Sequence, residues 1–434
     1  MYPNSSNASS TQDLTPPEKN LKLQFEYENA YCMRENASPV FLRCQGVKGS
    51  LKVDNGSSRN IDKVKIVLKG TMMNVLQHHT NCSTSLEPHR LLAAETILNL
   101  VEAHDWPSSD SLTEAEVKSA AFSFDFPLYR KPWESQQDFT SSMGMLPSTL
   151  SVTGYGCRAP TGGFSCSATS QIRYEVQAFA YDDKDELVDC TIATVALFDT
   201  ENPSPPPIHQ EHFKGEYACT KEKRLRRFGF RGASLSISAS EPQPIEIQPK
   251  TGLAMAAVPL RLTLRTKKKS SLSPEDMPLN IKIISMLKAS TYLSVAKMKA
   301  HPTISSSQES PFLAALCKFS GKRIRNLQVD GWEQENPKDP RTWVKDITVL
   351  LPVAESSFPS PSFFTPFVAR RYSMSLRVEI KSSLGDSVYR LAVPIQIVYP
   401  ETPVHYDNIY SPELTEEHPS GPSSPLDEVP IYIR

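Results

Sequence analysis

The chain has 434 residues, and its 47 Lys plus Arg stand against 48 Asp plus Glu for a formal net charge of −1. That length fits two or three domains of roughly 100 to 200 residues, while the balanced charge excludes a whole-molecule field favouring nucleic acid or an anionic membrane, so any such affinity is local. With 36 prolines against 17 glycines, the chain favours stiff connections and edge-strand breaks over pliable ones.

The opening residues, MYPNSSNASSTQDL, carry neither the basic start nor the apolar stretch of a secretory signal. No apolar run reaches the roughly 18 residues a membrane-spanning helix needs, so a reducing, intracellular setting is expected. There the eight cysteines (Cys32, Cys44, Cys82, Cys157, Cys166, Cys190, Cys219 and Cys317), without a C-x-x-C pair, read as mostly buried thiols. N-x-S sequons at Asn4, Asn7, Asn36, Asn55 and Asn81 read as chance matches.

Residues 1–20 form a polar tail, after which Leu21, Leu23, Phe25 and Tyr27 alternate with Lys22, Gln24 and Glu26. A period of two puts one face of an extended segment on a core and the other in water. Further strands are predicted at 47–53, at Val64, Ile66 and Leu68, at Phe122, Phe124, Phe126 and Leu128, and at 172–181 and 190–198, the last two joined by the charged turn DDKDE. Together they predict an antiparallel sandwich over 21–199. Segment 88–103, PHRLLAAETILNLVEA, is left open: Leu91, Ala94, Glu95, Leu98 and Val101 fall in helical register, yet 96–101 also suits a strand. The more polar 99–120 reads as an inserted loop.

Residues 200–224 begin ENPSPPPIHQEHF, a Pro-rich connector that cannot join a central ladder and so marks a boundary. A second antiparallel sandwich is predicted over 225–400, from Leu235 and Ile237, Leu260, Leu262 and Leu264, Leu279, Ile281 and Ile283, and Ile347, Val349 and Leu351. Its clearest code is Tyr372, Met374, Leu376, Val378 and Ile380 against Ser373, Ser375, Arg377, Glu379 and Lys381. A second run at Leu391, Val393, Ile395, Ile397 and Tyr399 carries Pro394 on the opposite face, which suggests an edge or bulge. Residues 401–434, rich in Pro, Ser and Glu, read as a flexible tail. The expected class is therefore all-β, two tandem antiparallel sandwiches with tails.

In their order, IDKVKIVLKG (61–70), FSFDFPL (122–128), LPS (146–148) and IRYEVQAFA (172–180) in the first half, then PSF (361–363) and Arg370-Arg371-Tyr372 with its paired strands in the second, resemble the arrestin family. The closest likeness is to the arrestin-related trafficking adaptors of fungi, over about residues 21 to 400. The resemblance implies immunoglobulin-like, arrestin-type sandwiches. It also implies a non-enzymatic adaptor that holds cytoplasmic segments of membrane proteins and recruits a WW-domain ubiquitin ligase for endocytic sorting or signalling. Such a protein would sit in the cytoplasm, peripherally associated with the plasma membrane or endosomes. The chain departs from the family's early Pro-Gly-Asp turn, having Arg43-Cys44-Gln45-Gly46 instead.

The recruiting motif implied is P-P-x-Y, two prolines in an extended left-handed helix beside an aromatic groove. None occurs. The nearest forms are Val429-Pro430-Ile431-Tyr432, favoured because it keeps the second proline and the tyrosine (Pro430 and Tyr432), and Pro403-Val404-His405-Tyr406; an incidental Pro and Tyr is the alternative. Lys221, Lys223, Arg224, Arg226, Arg227 and Arg231 cluster with Phe228 and Phe230. That run suits anionic lipid head groups or acidic partners, a nuclear-import signal, or a solvated linker leading into an edge strand. A signalling or nuclear scaffold directed by 221–231 is accordingly the alternative function. Ser204, Ser411 and Ser424, each before a proline, are candidate phosphorylation sites. Ser373, after Arg370-Arg371-Tyr372, falls within a predicted strand instead.

No catalytic, cofactor or metal set is expected, and no nucleic-acid partner. Gly154-Tyr155-Gly156-Cys157-Arg158-Ala159 fits a dinucleotide fingerprint, but Pro160, Gly162 and Gly163 oppose the helix it needs. His209, His212 and Cys219 lack a fourth ligand at matching spacing. Gly163-Phe164-Ser165-Cys166-Ser167 lacks the closing glycine of a nucleophile elbow.

Overall fold

The structure is a computed structural model, and it describes residues 21–31, 38–54, 61–79, 89–105, 118–126, 146–156, 165–198, 208, 213, 215–224, 233–247, 254–266, 279–329, 331–336, 339–352, 359–381 and 386–399. Over these it is predominantly β, with several antiparallel sheets, one short helix and one 3-10 turn, Arg43–Gln45.

The first half contributes β1 (Lys22–Tyr27), β2 (Val40–Leu42), β3 (Val47–Asp54), β4 (Lys63–His79), β5 (His89–Asp105), β6 (Lys118–Phe124), β7 (Leu150–Tyr155), β8 (Ser165–Tyr181) and β9 (Leu187–Phe198). One sheet runs β1-β3-β6; the other runs β2-β9-β8-β4-β5, with β7 also on β8. Alternation does what the period demands. Leu51 and Val53 of β3, Phe122 and Phe124 of β6, Ile66 and Leu68 of β4, and Ile172, Tyr174 and Val176 of β8 point into one shared cluster. Each such aliphatic or aromatic side chain contributes roughly 1.5 to 3 kcal/mol on burial. Of the FSFDFPL signal, the strand itself stops at Phe124 and Phe126 packs half-buried on the same cluster, while Leu128 lies outside the described residues.

The open segment is a strand from His89 onward, and the expected loop at 99–120 is strand at both ends, through Asp105 and again from Lys118. β5 pairs with β4 from Lys63↔Asp105 to His78↔His89. Helix propensity among Leu, Ala and Glu differs by only a few tenths of a kcal/mol per residue. That cannot compete with a ladder of this length which also buries Leu98 against the core. As an edge strand β5 leaves Leu92 and Val101 exposed, and this explains why no clean alternation marked it.

The second half contributes β10 (Thr220–Arg224), β11 (Ser234–Ala239), β12 (Ile245–Glu246), β13 (Met255–Arg265), β14 (Leu279–Ser294), the helix α1 (Ile304–Glu309), β15 (Leu313–Val329), β16 (Glu333–Asn336), β17 (Asp339–Pro352), β18 (Phe363–Phe364), β19 (Val368–Lys381), β20 (Ser387–Ile395) and β21 (Ile397–Val398). The sheets are β10-β11-β13-β17-β16 and β15-β14-β19-β18, with β20 also on β19, plus the parallel pair β12-β21. Leu235 and Ile237 of β11, Leu260 and Leu262 of β13, Leu376 and Val378 of β19, and Leu391 and Val393 of β20 share a second cluster.

The two halves are locked together by buried contacts. Leu42 and Phe198 insert into the second cluster, where Phe198 stacks on Tyr399 at 4.9 Å, and Val368 inserts into the first. Leu76 and Ala168 meet Leu293, Ala314 and Leu316 in a further cluster. Beside these lies Asn74, 0% exposed, whose Nδ2 donates to the carbonyls of Ser294 at 2.8 Å and Phe367 at 3.1 Å, while its Oδ1 accepts from the Ser170 hydroxyl at 2.7 Å.

The proline of LPS and the residues just before PSF serve as anchors. Tyr174 donates its hydroxyl hydrogen to the Pro147 carbonyl at 2.6 Å, and in the other half Tyr372 donates to Ser360 at 2.6 Å and Tyr399 to Pro359 at 2.9 Å. A buried tyrosine needs such a partner, and a proline-fixed turn presents a carbonyl at a set place.

Candidate functional site

The connector enters the second half through a buried ion pair. Arg371 of β19 is 9% exposed, and its Nη2 donates to Glu216 Oε2 at 2.8 Å. The same oxygen accepts from Tyr292 at 3.0 Å, while Oε1 accepts the backbone N–H of Ile304, at the start of α1, at 3.0 Å. The guanidinium lies between the rings of Phe213 and Tyr292, at 4.2 and 4.4 Å from their centroids. Its Nε and Nη1 have no hydrogen-bond partner, so the two ring faces are what compensates them. Burial works against this cation, but the charges of Tyr292, Glu216 and Tyr217 together with the Glu216 hydrogen bond leave its pKa raised. At neutral pH the phenols are uncharged, which makes Glu216 the counter-ion. Burial pushes Tyr217 up to about 12 and raises Tyr292 as well.

Two residues beyond Glu216, Ala218 and Ala392 of β20 form an isolated antiparallel bridge, with N–H to carbonyl distances of 2.9 and 3.1 Å in the two directions. The chain then turns to pair with β11 as β10. Lys221 and Lys223 lie opposite Ile237 and Leu235, whose side chains enter the core, so both lysines sit on the inner face of an edge strand. Lys223 Nζ stands 5.6 Å from the centroid of Tyr389, whose hydroxyl donates to the Leu235 carbonyl at 3.1 Å. Burial raises the Tyr389 pKa. A cleft of about 360 Å³ opens here between β10 and β20, lined by Lys221, Glu222, Lys223, Val388, Tyr389 and Arg390.

Of the basic run, Lys221, Lys223 and Arg224 are thus exposed and lie on β10 itself, an edge strand inside the segment read as connector. Arg226, Arg227 and Arg231, with Phe228 and Phe230, lie outside the described residues, as do Val429, Pro430 and Tyr432, residues 403–406, Ser204, Ser411 and Ser424, and His209 and His212. Cys219 donates its thiol to the Ala392 carbonyl at 3.7 Å. Gly154 and Tyr155 are in β7, a strand, and the rest of the fingerprint beyond Gly156 is outside the described residues. Ser373 is 7% exposed in mid-strand. The expectation of mostly buried thiols fails for the described cysteines: Cys44 and Cys190 are exposed and Cys166, Cys219 and Cys317 are half-buried.

Sequence reasoning missed the Glu216–Arg371 pair. Arg371 shares its parity with Ser373, Ser375 and Arg377, the face read as solvent. It is buried because α1 and the connector cover that end of β19. The only local hint is a glutamate beside aromatic Tyr217 and near Phe213.

Among the described residues, no group of three or more His, Cys, Asp or Glu is placed to hold a metal ion, and no helix is long and apolar enough to cross a membrane. A scan against protein-family models finds no match, and no curated protein matches the sequence.

Proposed function

We propose that the chain is an arrestin-like adaptor of two tandem immunoglobulin-like sandwiches, over about 21–199 and 225–400, that holds cytoplasmic segments of membrane proteins and recruits a WW-domain ubiquitin ligase for endocytic sorting or signalling. In this reading it works without chemistry of its own, in the cytoplasm, peripherally at the plasma membrane or endosomes, where anionic lipids are a further partner. The observation that carries the reading is the join between the halves. Two β units with separate cores are locked through Asn74 and the Leu76–Leu293 cluster into one platform, whose free features are sheet edges and a basic strand. Exposed strand edges are templates for another chain.

Affinity capture of the tagged full chain from cells, with brief crosslinking, tests this. Recovery of membrane proteins and a WW-containing ligase is expected, and recovery of neither overturns the reading. Changing Lys223, Arg224, Arg226 and Arg227 to Ala in a fluorescently tagged chain is expected to cost membrane signal; loss of nuclear signal instead would favour the scaffold.

A further inference from the structure

The Ala218–Ala392 bridge is one rung of a ladder that stops. Continued antiparallel, the next rungs would be Thr220 with Arg390 and Glu222 with Val388. Parity puts the backbone groups needed for those rungs in the gap. Cys219 gives its carbonyl to Ala239 of β11, so Lys221 and Lys223 also face β11, while Thr220, Glu222 and Arg224 face away from it. On β20, Ala392 bonds outward to Ala218, so Arg390 and Val388 also turn their N–H and carbonyl groups away from β19. Pro394 shares that register, and its missing N–H falls on the open edge, where it costs no ladder bond. Two strand edges therefore diverge from a single bridge with their bonding groups facing each other across the cleft.

We infer that this cleft is a docking slot for an extended acidic peptide segment of a partner, which adds as a strand to the open edge of β20 and lays its carboxylates against Lys221, Lys223, Arg224 and Arg390. That the partner is membrane-protein cargo rests on the adaptor reading; the slot itself does not. Charge selects the occupant, since three of the lining residues, Lys221, Lys223 and Arg390, are cations against one acid, Glu222. Backbone selects its form, because unpaired strand edges are satisfied by another strand and not by a lipid head group. Lys221 and Lys223 share the inner face of β10, Lys223 with its Nζ over Tyr389, and do not form a flat outer patch, which also favours an inserted chain over a membrane plane. The cleft volume lies at the lower end of the roughly 300 to 1,000 Å³ typical of ligand sites, enough for a few residues of extended chain.

The test uses the full chain and a fluorescein-labelled decapeptide of alternating Glu and Val, read by anisotropy. Binding that weakens with added salt is expected, with protection of the Val388 and Arg390 amides in hydrogen-exchange mass spectrometry. The double variant K221E/K223E is expected to bind at least about tenfold more weakly. Val388→Pro removes one outward N–H in the register that already tolerates Pro394 and is expected to lose binding while keeping its melting temperature. The same decapeptide with alternate N-methylated amides makes that backbone test from the ligand side, so a misfolded V388P leaves the question decidable. No binding of the acidic peptide, equal binding of its Lys-Val counterpart, or undiminished binding of the N-methylated form overturns the slot. So does binding to phosphatidylserine vesicles that falls with K221E/K223E but not with V388P, which would make the edge a lipid patch. Peptide binding without membrane proteins in the cellular capture sinks the adaptor and spares the slot; the converse sinks only the slot.

Discussion

Replacing Glu216 by Ala removes three acceptor contacts at once: those to Arg371, to Tyr292 and to the Ile304 amide. What remains is a guanidinium 9% exposed with no counter-ion. A guanidinium keeps its proton in proteins whatever surrounds it, so it cannot escape by deprotonating. Breaking a buried pair from one side typically costs about 3 to 5 kcal/mol, because the orphaned charge keeps its desolvation penalty. The rings of Phe213 and Tyr292 face the cation in parent and variant alike, so their contribution cancels in the difference. In a domain of this size each kcal/mol shifts melting by roughly 2 to 4 °C, so Glu216→Ala is expected to melt on the order of 10 °C lower. Urea unfolding followed by tryptophan fluorescence reads it, since Trp332 is buried in the same half. Replacing both partners, Glu216→Leu with Arg371→Met, is expected to recover most of the loss, because matched apolar groups carry no desolvation debt. A Glu216→Ala chain within about 1 kcal/mol of the parent, or a double variant worse than the single, would refute the reasoning.

Three further outcomes are expected. Asn74→Leu strands the carbonyls of Ser294 and Phe367 and the Ser170 hydroxyl at the join, at about 1 to 3 kcal/mol for each polar group left unsatisfied; calorimetry should resolve two melting transitions where the parent shows one, and an unchanged trace refutes the lock. Gly70→Ala puts a Cβ 2.7 Å from a ring carbon of Tyr174 and 3.0 Å from the Leu98 Cβ, at the β4–β5 register shift, so a loss of about 1 to 3 kcal/mol in denaturant unfolding is expected; a neutral effect would mean the ring moves freely. Tyr217, lifted by burial from 10.0 to about 12, keeps its proton in the folded chain after the unfolded chain has lost it. Its contribution is whole below about pH 10 and disappears as pH rises to about 12, some 2 to 3 kcal/mol in all. Tyr27, Tyr292 and Tyr389 are raised in the same direction, so the denaturant midpoint should drop as pH rises from about 10 to about 12, ahead of tyrosinate absorbance at 295 nm in the native state; a flat midpoint counts against it.

Alternating side chains were enough to place β3, β6, β8, β11, β13 and β19, because a period of two states directly which residues face a core. They were enough, too, to mark Pro394 as an edge or bulge residue, whereas the strand at Lys221, Lys223 and Arg224 was read as connector. The candidate slot was half legible: its charge is in the sequence, but its shape depends on β20 stopping its pairing with the connector after Ala392.

What the chain determined by itself is therefore the class, all-β, and the inward face of the strands that alternate cleanly, which β5 and β15 do not. The fold alone decided that 89–105 is a strand, that Asn74 reaches carbonyls at 294 and 367, and that Glu216 meets Arg371. The reason is physical: a dipeptide period encodes the face a residue turns toward, whereas the identity of its neighbour on that face, 155 or 220 positions away, is settled by how sheets pack. Burial of a charged arginine can be read only once the groups that cover it are in place.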